Sequence, residues 1–196
     1  MNLPNKLTIS RIIITAAFIF FVLSAGLAAK VWALAAFLLA SLTDLLDGFI
    51  AKRNNQVTDF GKLMDPIADK ILTLSAFLAF VELNIVPAWM VIAIIFREVL
   101  ITALRGLALA KGKVIAADDG GKHKTVSQVV AIVAILVFLI LREGGSAVFS
   151  FWNSRAETIA GEIILVLMMI AVFFTLVSGT AYLIKNRGVY TNAKTD

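Results

Sequence analysis

Six apolar runs joined by short polar segments take up most of this chain and limit what it can fold into: Leu7 to Ala29, Val31 to Ala51, Gly61 to Val81, Ala88 to Ala110, Val126 to Leu141 and Ile159 to Ile184. Most approach the ~20 residues that a helix needs to cross a bilayer. Inside hydrocarbon each backbone N–H and C=O must find its partner within the protein, which a helix provides. Hydrophobic residues make up 60% of the 196 and the mean hydropathy is +0.94, well outside the range of soluble domains. The expectation is an all-α integral membrane protein: one domain, 1–196, built as a six-transmembrane-helix bundle. The first run is too long for the core of a signal peptide and is kept as a span. Residues 1–10, polar and carrying Pro4 and Asn5, read as a short interfacial segment leading into it.

Charge orients the bundle. Lysine and arginine number 18 against 13 acids, for a net charge of +5, and the basic residues sit at span ends. One set of ends carries Lys6, Lys52, Arg53, Lys62, Lys111, Lys113, Lys122, Lys124, Lys185, Arg187 and Lys194; the other carries Lys30, Arg142 and Arg155. The positive-inside rule then places both termini in the cytoplasm. Basic residues at span ends meet anionic lipid, so the positive balance does not call for nucleic acid. The chain has no cysteine, which excludes disulfides and thiolate metal sites.

Asp44, Asp47, Asp65 and Asp69 stand in or beside these apolar runs, where a carboxylate costs at least ~2.5 kcal/mol. Residues three or four apart share a helix face. Asp44, Asp47, Gly48 and Ala51 therefore form one stripe, and Gly61, Asp65 and Asp69 another. Helices lying side by side would bring the acids together, with small residues leaving room beside them. Carboxylates so clustered need cations, and oxygen-only donors favour hard divalent ions: magnesium, or manganese, with two ions balancing four aspartates. Such ions serve substrate phosphates in displacement chemistry. The plainer reading makes these acids helix caps and partners for Lys52, Arg53, Lys62 and Lys70. Residues 57–60 read as the turn, and the third span starts no later than Pro66, since proline fits a first helical turn.

The stretch from Asp44 to Asp69 resembles the signature of the CDP-alcohol phosphatidyltransferases, D-x-x-D-G-x-x-A-R, eight residues, then G-x-x-x-D-x-x-x-D. Asp44, Asp47, Gly48, Ala51, Gly61, Asp65 and Asp69 match it. Lys52 departs from it, standing where the family usually has an arginine; a lysine offers a point charge in place of a bidentate fork. The resemblance implies that the four aspartates hold two divalent ions, that Asp69 is the general base, and that the bundle has a polar cavity facing the cytoplasm. It implies that the CDP-lipid is held by Asn5, Thr8 and Arg11, from a PNKLTISR stretch similar to the family's P-N-x-x-T-x-x-R, with Asp44, Gly48, Ala51, Lys52 and Gly61. For Arg11 the alternative is a side chain that snorkels at the membrane surface.

Within the fourth run, Arg97, Glu98 and Arg105 interrupt an apolar segment, and an intramembrane charge is by default functional. Arg97 and Glu98 adjoin and are expected to point apart; Glu98 and Arg105, seven apart, share a face that permits pairing through Thr102 or water. The plainer reading is an ion pair that fixes register. Lys122 and Lys124 flank His123, which reads as a solvated surface residue. With Arg97 and Arg105 the two lysines make an anion pocket supplied by different elements. REVLITALR (97–105) and GKHKT (121–125) are similar to stretches of the bacterial phosphatidylglycerophosphate synthases within that family. This implies glycerol 3-phosphate as acceptor of the phosphatidyl group of CDP-diacylglycerol, in the bacterial inner membrane.

Alternatives are another acceptor (serine, inositol phosphate or phosphatidylglycerol) and, from a different class, a divalent-cation transporter. The latter lacks the paired broken helices expected of such proteins. The last two spans carry no motif. Their small residues, Gly161, Ala171, Ser178, Gly179 and Ala181, would close the bundle or form the face of a homodimer, and Phe149, Phe151 and Trp152 read as an outer aromatic belt.

Overall fold

The computed structural model describes residues 3–54, 59–110 and 120–187, with side chains described at 9–43, 70–109 and 121–187. The described residues form six helices and no strand: α1 (Leu3–Leu23), α2 (Leu27–Asn54), α3 (Asp59–Glu82), α4 (Ala88–Ala110), α5 (Gly120–Val148) and α6 (Ser154–Lys185). α3 packs against α1, α2, α4 and α5, while α6 packs on α4 and α5.

Several boundaries differ from the sequence expectation, each for a local reason. The 1–10 segment is not separate, because α1 runs from Leu3 without a break. The first joint lies at Ser24–Gly26, several residues before Lys30. Gly26 takes φ +100°, a left-handed conformation natural to glycine. Lys30 then lies in α2, buried, and its ammonium donates to the carbonyls of Val22 and Ser24 at 2.7 and 2.8 Å. It thereby satisfies carbonyls that the end of α1 leaves open.

α3 begins at Asp59, inside the expected turn, so Pro66 is its eighth residue. A proline there forfeits one helical bond, which a packed membrane helix tolerates. α5 is longer than expected because GKHKT is helical, and Gly145 (φ 54°, ψ −164°) interrupts its far end. α6 is preceded by Asn153, whose side chain accepts from the Ala156 N–H at 2.9 Å, an N-cap of the usual kind.

Apolar packing fills one end of the bundle. Phe18, Phe37, Phe77, Phe80, Met90, Ile94, Leu136 and Met168 are fully buried there, with the Phe18 and Phe37 rings 5.8 Å apart. Trp152 belongs to this core: it is 7% exposed and meets Phe138 edge-on. The expected belt is therefore corrected at that residue, while Phe151, like Trp32 and Trp89, is exposed. On α6 the buried residues Ile164, Met168, Ala171, Val172, Thr175, Ser178, Gly179 and Tyr182 follow a helical stripe. Ala171, Ser178 and Gly179 thus close the bundle.

The outside is apolar as well. Phe20, Ile92, Phe96, Leu109 and Phe173 are each more than 60% exposed, far beyond what a water-facing monomer presents. Gly121–Val148 and Ser154–Lys185 are long and apolar enough to cross a membrane. With polar side chains gathered inside and large hydrophobic ones turned out, this is a membrane protein.

Candidate active site

The end of the bundle opposite the apolar core holds a polar cavity of about 170 Å³. Among the described residues, four helices line it: α3 through Lys70, α4 through Arg97, Glu98, Thr102 and Arg105, α5 through Gly121, Lys124 and Thr125, and α6 through Ser178 and Tyr182. Each helix contributes from the part nearest that end, where alternation of direction brings α3 and α5 in by their starts and α4 and α6 by their ends.

Glu98 organises the charges. Buried at 6% exposure, its carboxylate accepts from the Lys124 ammonium and, at 3.1 Å, from Arg97 Nη1. Arg97 Nη2 donates to Ser178 Oγ at 2.8 Å. Two sequence expectations are corrected here. Arg97 and Glu98 do not point apart: their Cα positions differ by about 100° around the helix, but the long guanidinium arm spans that angle. Glu98 is not joined to Arg105 through Thr102, whose hydroxyl donates instead to the Glu98 carbonyl at 2.7 Å, while the carboxylate turns to α5.

Gly179 explains how Arg97 lies against α6. A Cβ at that position would stand 2.8 Å from Arg97 Cγ, so only a hydrogen leaves space. One turn back, Gln128 Nε2 donates to Thr175 Oγ1 at 3.0 Å and ties α5 to α6 beneath the cavity. Among the described residues, the cavity carries four cationic side chains, Lys70, Arg97, Arg105 and Lys124, against the one carboxylate of Glu98. That surplus suits a multiply charged anion, with arginine forks available for a phosphate.

Arg97, Arg105 and Lys124 are thus brought together as expected from the sequence. Lys122 is not: with His123 it lines a separate, mostly apolar groove between α5 and α6, beside Val126, Val130, Leu167, Ile170 and Phe174. His123 is exposed and stacks on Phe174, ring centroids 6.2 Å apart. Arg11 is 3% exposed, so it sits inside the bundle and does not snorkel. Asp44, Asp47, Gly48, Ala51 and Lys52 belong to α2, Gly61, Asp65 and Asp69 to α3, and Asn5 and Thr8 to α1; their side chains lie outside the described residues.

Three cavity residues were missed at the level of sequence: Lys70, Ser178 and Tyr182. The signal for the last two was present as a helical stripe of Thr175, Ser178 and Tyr182 within an apolar run. A polar stripe in a membrane helix faces the protein interior.

Comparison with known proteins fits this architecture. Residues 1–191 match the model of the CDP-alcohol phosphatidyltransferase family. The chain belongs to that family and is an enzyme of its phosphatidyl-transfer class. It is 36% identical over 201 residues to the CDP-diacylglycerol–glycerol-3-phosphate 3-phosphatidyltransferase of Bacillus subtilis (strain 168), covering 94% of this chain and 95% of that protein. The Rickettsia typhi protein of the same name is 40% identical over 183 residues, 92% of this chain and 94% of its own. A probable phosphatidylglycerophosphate synthase of Mycobacterium tuberculosis (strain H37Rv) is 41% identical over 134 residues, 67% of this chain and 64% of that protein.

Proposed function

We propose that the protein transfers the phosphatidyl group of CDP-diacylglycerol to glycerol 3-phosphate, giving phosphatidylglycerophosphate and CMP. The observation that carries this reading is the cationic cavity, in which, among the described residues, three more positive than negative groups line one small space. An acceptor that is itself a phosphate answers that surplus; serine, with no net charge, would leave it unbalanced. The near end-to-end match to relatives named for this reaction supports the same choice.

In the reaction the acceptor hydroxyl attacks the phosphorus that bears diacylglycerol. A P–O bond forms to the acceptor, the P–O bond to CMP breaks, and the hydroxyl proton passes to Asp69 as general base. Arg97, Arg105 and Lys124 hold the acceptor phosphate, joined by Lys70. Asn5, Thr8, Arg11, Gly48, Ala51, Lys52 and Gly61 form the CDP-lipid side of the site.

Asp44 and Asp47 lie in uninterrupted helix in α2, as do Asp65 and Asp69 in α3. Each pair therefore shares a helix face, and the donors are all oxygen, which fits magnesium or manganese. Divalent ions held there supply positive charge against the diphosphate and the departing CMP. The reading also includes six membrane spans in the bacterial inner membrane, a cavity and both termini on the cytoplasmic side, and association as a homodimer.

Purified protein given CDP-diacylglycerol, magnesium and a panel of glycerol 3-phosphate, serine, inositol phosphate and phosphatidylglycerol should release CMP with glycerol 3-phosphate and not with the others. Release with serine alone would overturn the acceptor assignment. Metal uptake by proteoliposomes lacking any CDP-lipid would point to a transporter instead.

A further inference from the structure

Tyr182 occupies the last turn of α6, where its carbonyl accepts from the Asn186 backbone N–H at 3.1 Å and from Asn186 Nδ2 at 2.8 Å, so the backbone there is held at the helix end. Its side chain is 3% exposed and lines the cationic cavity, yet its hydroxyl has no hydrogen-bond partner among the described residues. Arg97 Nε, contributed by α4, has none among the described residues either, although the other guanidinium nitrogens are engaged by Glu98 and Ser178. Buried polar groups left without a partner are costly and uncommon in folded proteins. Two of them on residues that line one cavity point to a partner that arrives with the ligand.

The chemistry of each group narrows what that partner is. Lys70, Arg105 and Lys124 are charged donors matched to a phosphate. A tyrosine hydroxyl is neutral and both donates and accepts, which matches another hydroxyl. Glycerol 3-phosphate has three polar groups: the phosphate, the terminal hydroxyl that reacts, and a middle hydroxyl that does not. Resting on the acceptor reading above, we infer that Tyr182, in the cavity that Arg97 also lines, binds the non-reacting middle hydroxyl of the acceptor and selects for it. A site built to hydrogen-bond a substrate hydroxyl discriminates strongly against an analogue that lacks it.

The test compares wild type and Tyr182→Phe, both full-length and purified, with glycerol 3-phosphate and with 3-hydroxypropyl phosphate, which lacks the middle hydroxyl. Wild type should prefer glycerol 3-phosphate. Tyr182→Phe should lower kcat/KM for glycerol 3-phosphate about tenfold or more while leaving 3-hydroxypropyl phosphate within about twofold, so that the preference collapses. KM for CDP-diacylglycerol should stay unchanged. Thermal unfolding should not fall, because the hydroxyl has no partner among the described residues to lose. Equal losses with both acceptors, no loss with either, or a clear drop in unfolding temperature would each overturn the inference. Should wild type turn over a different alcohol and neither phosphate, the acceptor reading itself fails and takes the inference with it; wild type alone reports that outcome.

Discussion

Glu98 of α4 and Lys124 of α5 form a buried ion pair, their side chains 7% and 10% exposed, and that pair joins two walls of the cavity. Removing one member leaves the other charge buried and uncompensated, which typically costs about 3–5 kcal/mol. Glu98→Ala should therefore lower the unfolding temperature in detergent markedly. The double change Glu98→Ala with Lys124→Met should recover part of the loss, as a thermal melt of each variant would show.

Gly179→Ala should displace Arg97, since the added Cβ would meet Arg97 Cγ at 2.8 Å. The expected result is a several-fold rise in KM for glycerol 3-phosphate with little change in KM for CDP-diacylglycerol. Gly161→Ala is the matched control: nothing lies within 4 Å of its Cβ position, and alanine in a helix interior is favoured over glycine by about 1 kcal/mol. Steady-state kinetics on both variants would separate the two cases.

Arg105 and Lys122 should behave differently despite their common charge. Arg105 lines the cavity, and losing a charged hydrogen bond to a phosphate is worth about 1.5–3 kcal/mol. Arg105→Ala should raise KM for glycerol 3-phosphate about tenfold or more. Lys122 faces the other groove, and Lys122→Ala should leave that KM within about twofold.

Asp69→Asn should abolish turnover while CDP-diacylglycerol still binds in the presence of magnesium, because the amide cannot take the proton from the attacking hydroxyl. A binding isotherm beside a CMP-release assay checks both halves. Full activity in the variant would remove the general-base assignment.

Gly26→Ala should destabilise the α1–α2 joint. A left-handed φ of +100° penalises any residue with a Cβ, by about 1–2 kcal/mol, and the Lys30 bonds to Val22 and Ser24 depend on that turn. A lower unfolding temperature with unchanged specific activity of the folded fraction is the expected outcome, since this joint lies at the end of the bundle opposite the cavity.

The helices were legible because hydrocarbon imposes a length and a composition on any segment that crosses it. The run from Ala88 to Ala110 coincides with α4, with residues 83–87 as the connection before it. Where boundaries shifted, the deciding contact was invisible in hydropathy. Lys30 looks like the end of a span but turns back to cap α1. Trp152 looks like an interfacial residue but packs on Phe138.

The site divided in the same way. Spacing along one helix is a property of the chain, so the motif at 44–69 and the basic residues of the fourth run could be recognised in the sequence, which was enough to assign a family. Which cations share a cavity depends on how separate helices are rotated against one another. That rotation comes from long-range packing, such as a missing Cβ at Gly179 beneath Arg97. Through it the bundle drew Ser178 and Tyr182 into the cavity from a helix with no motif, turned Lys122 away, and matched Glu98 to Lys124, 26 positions apart in sequence.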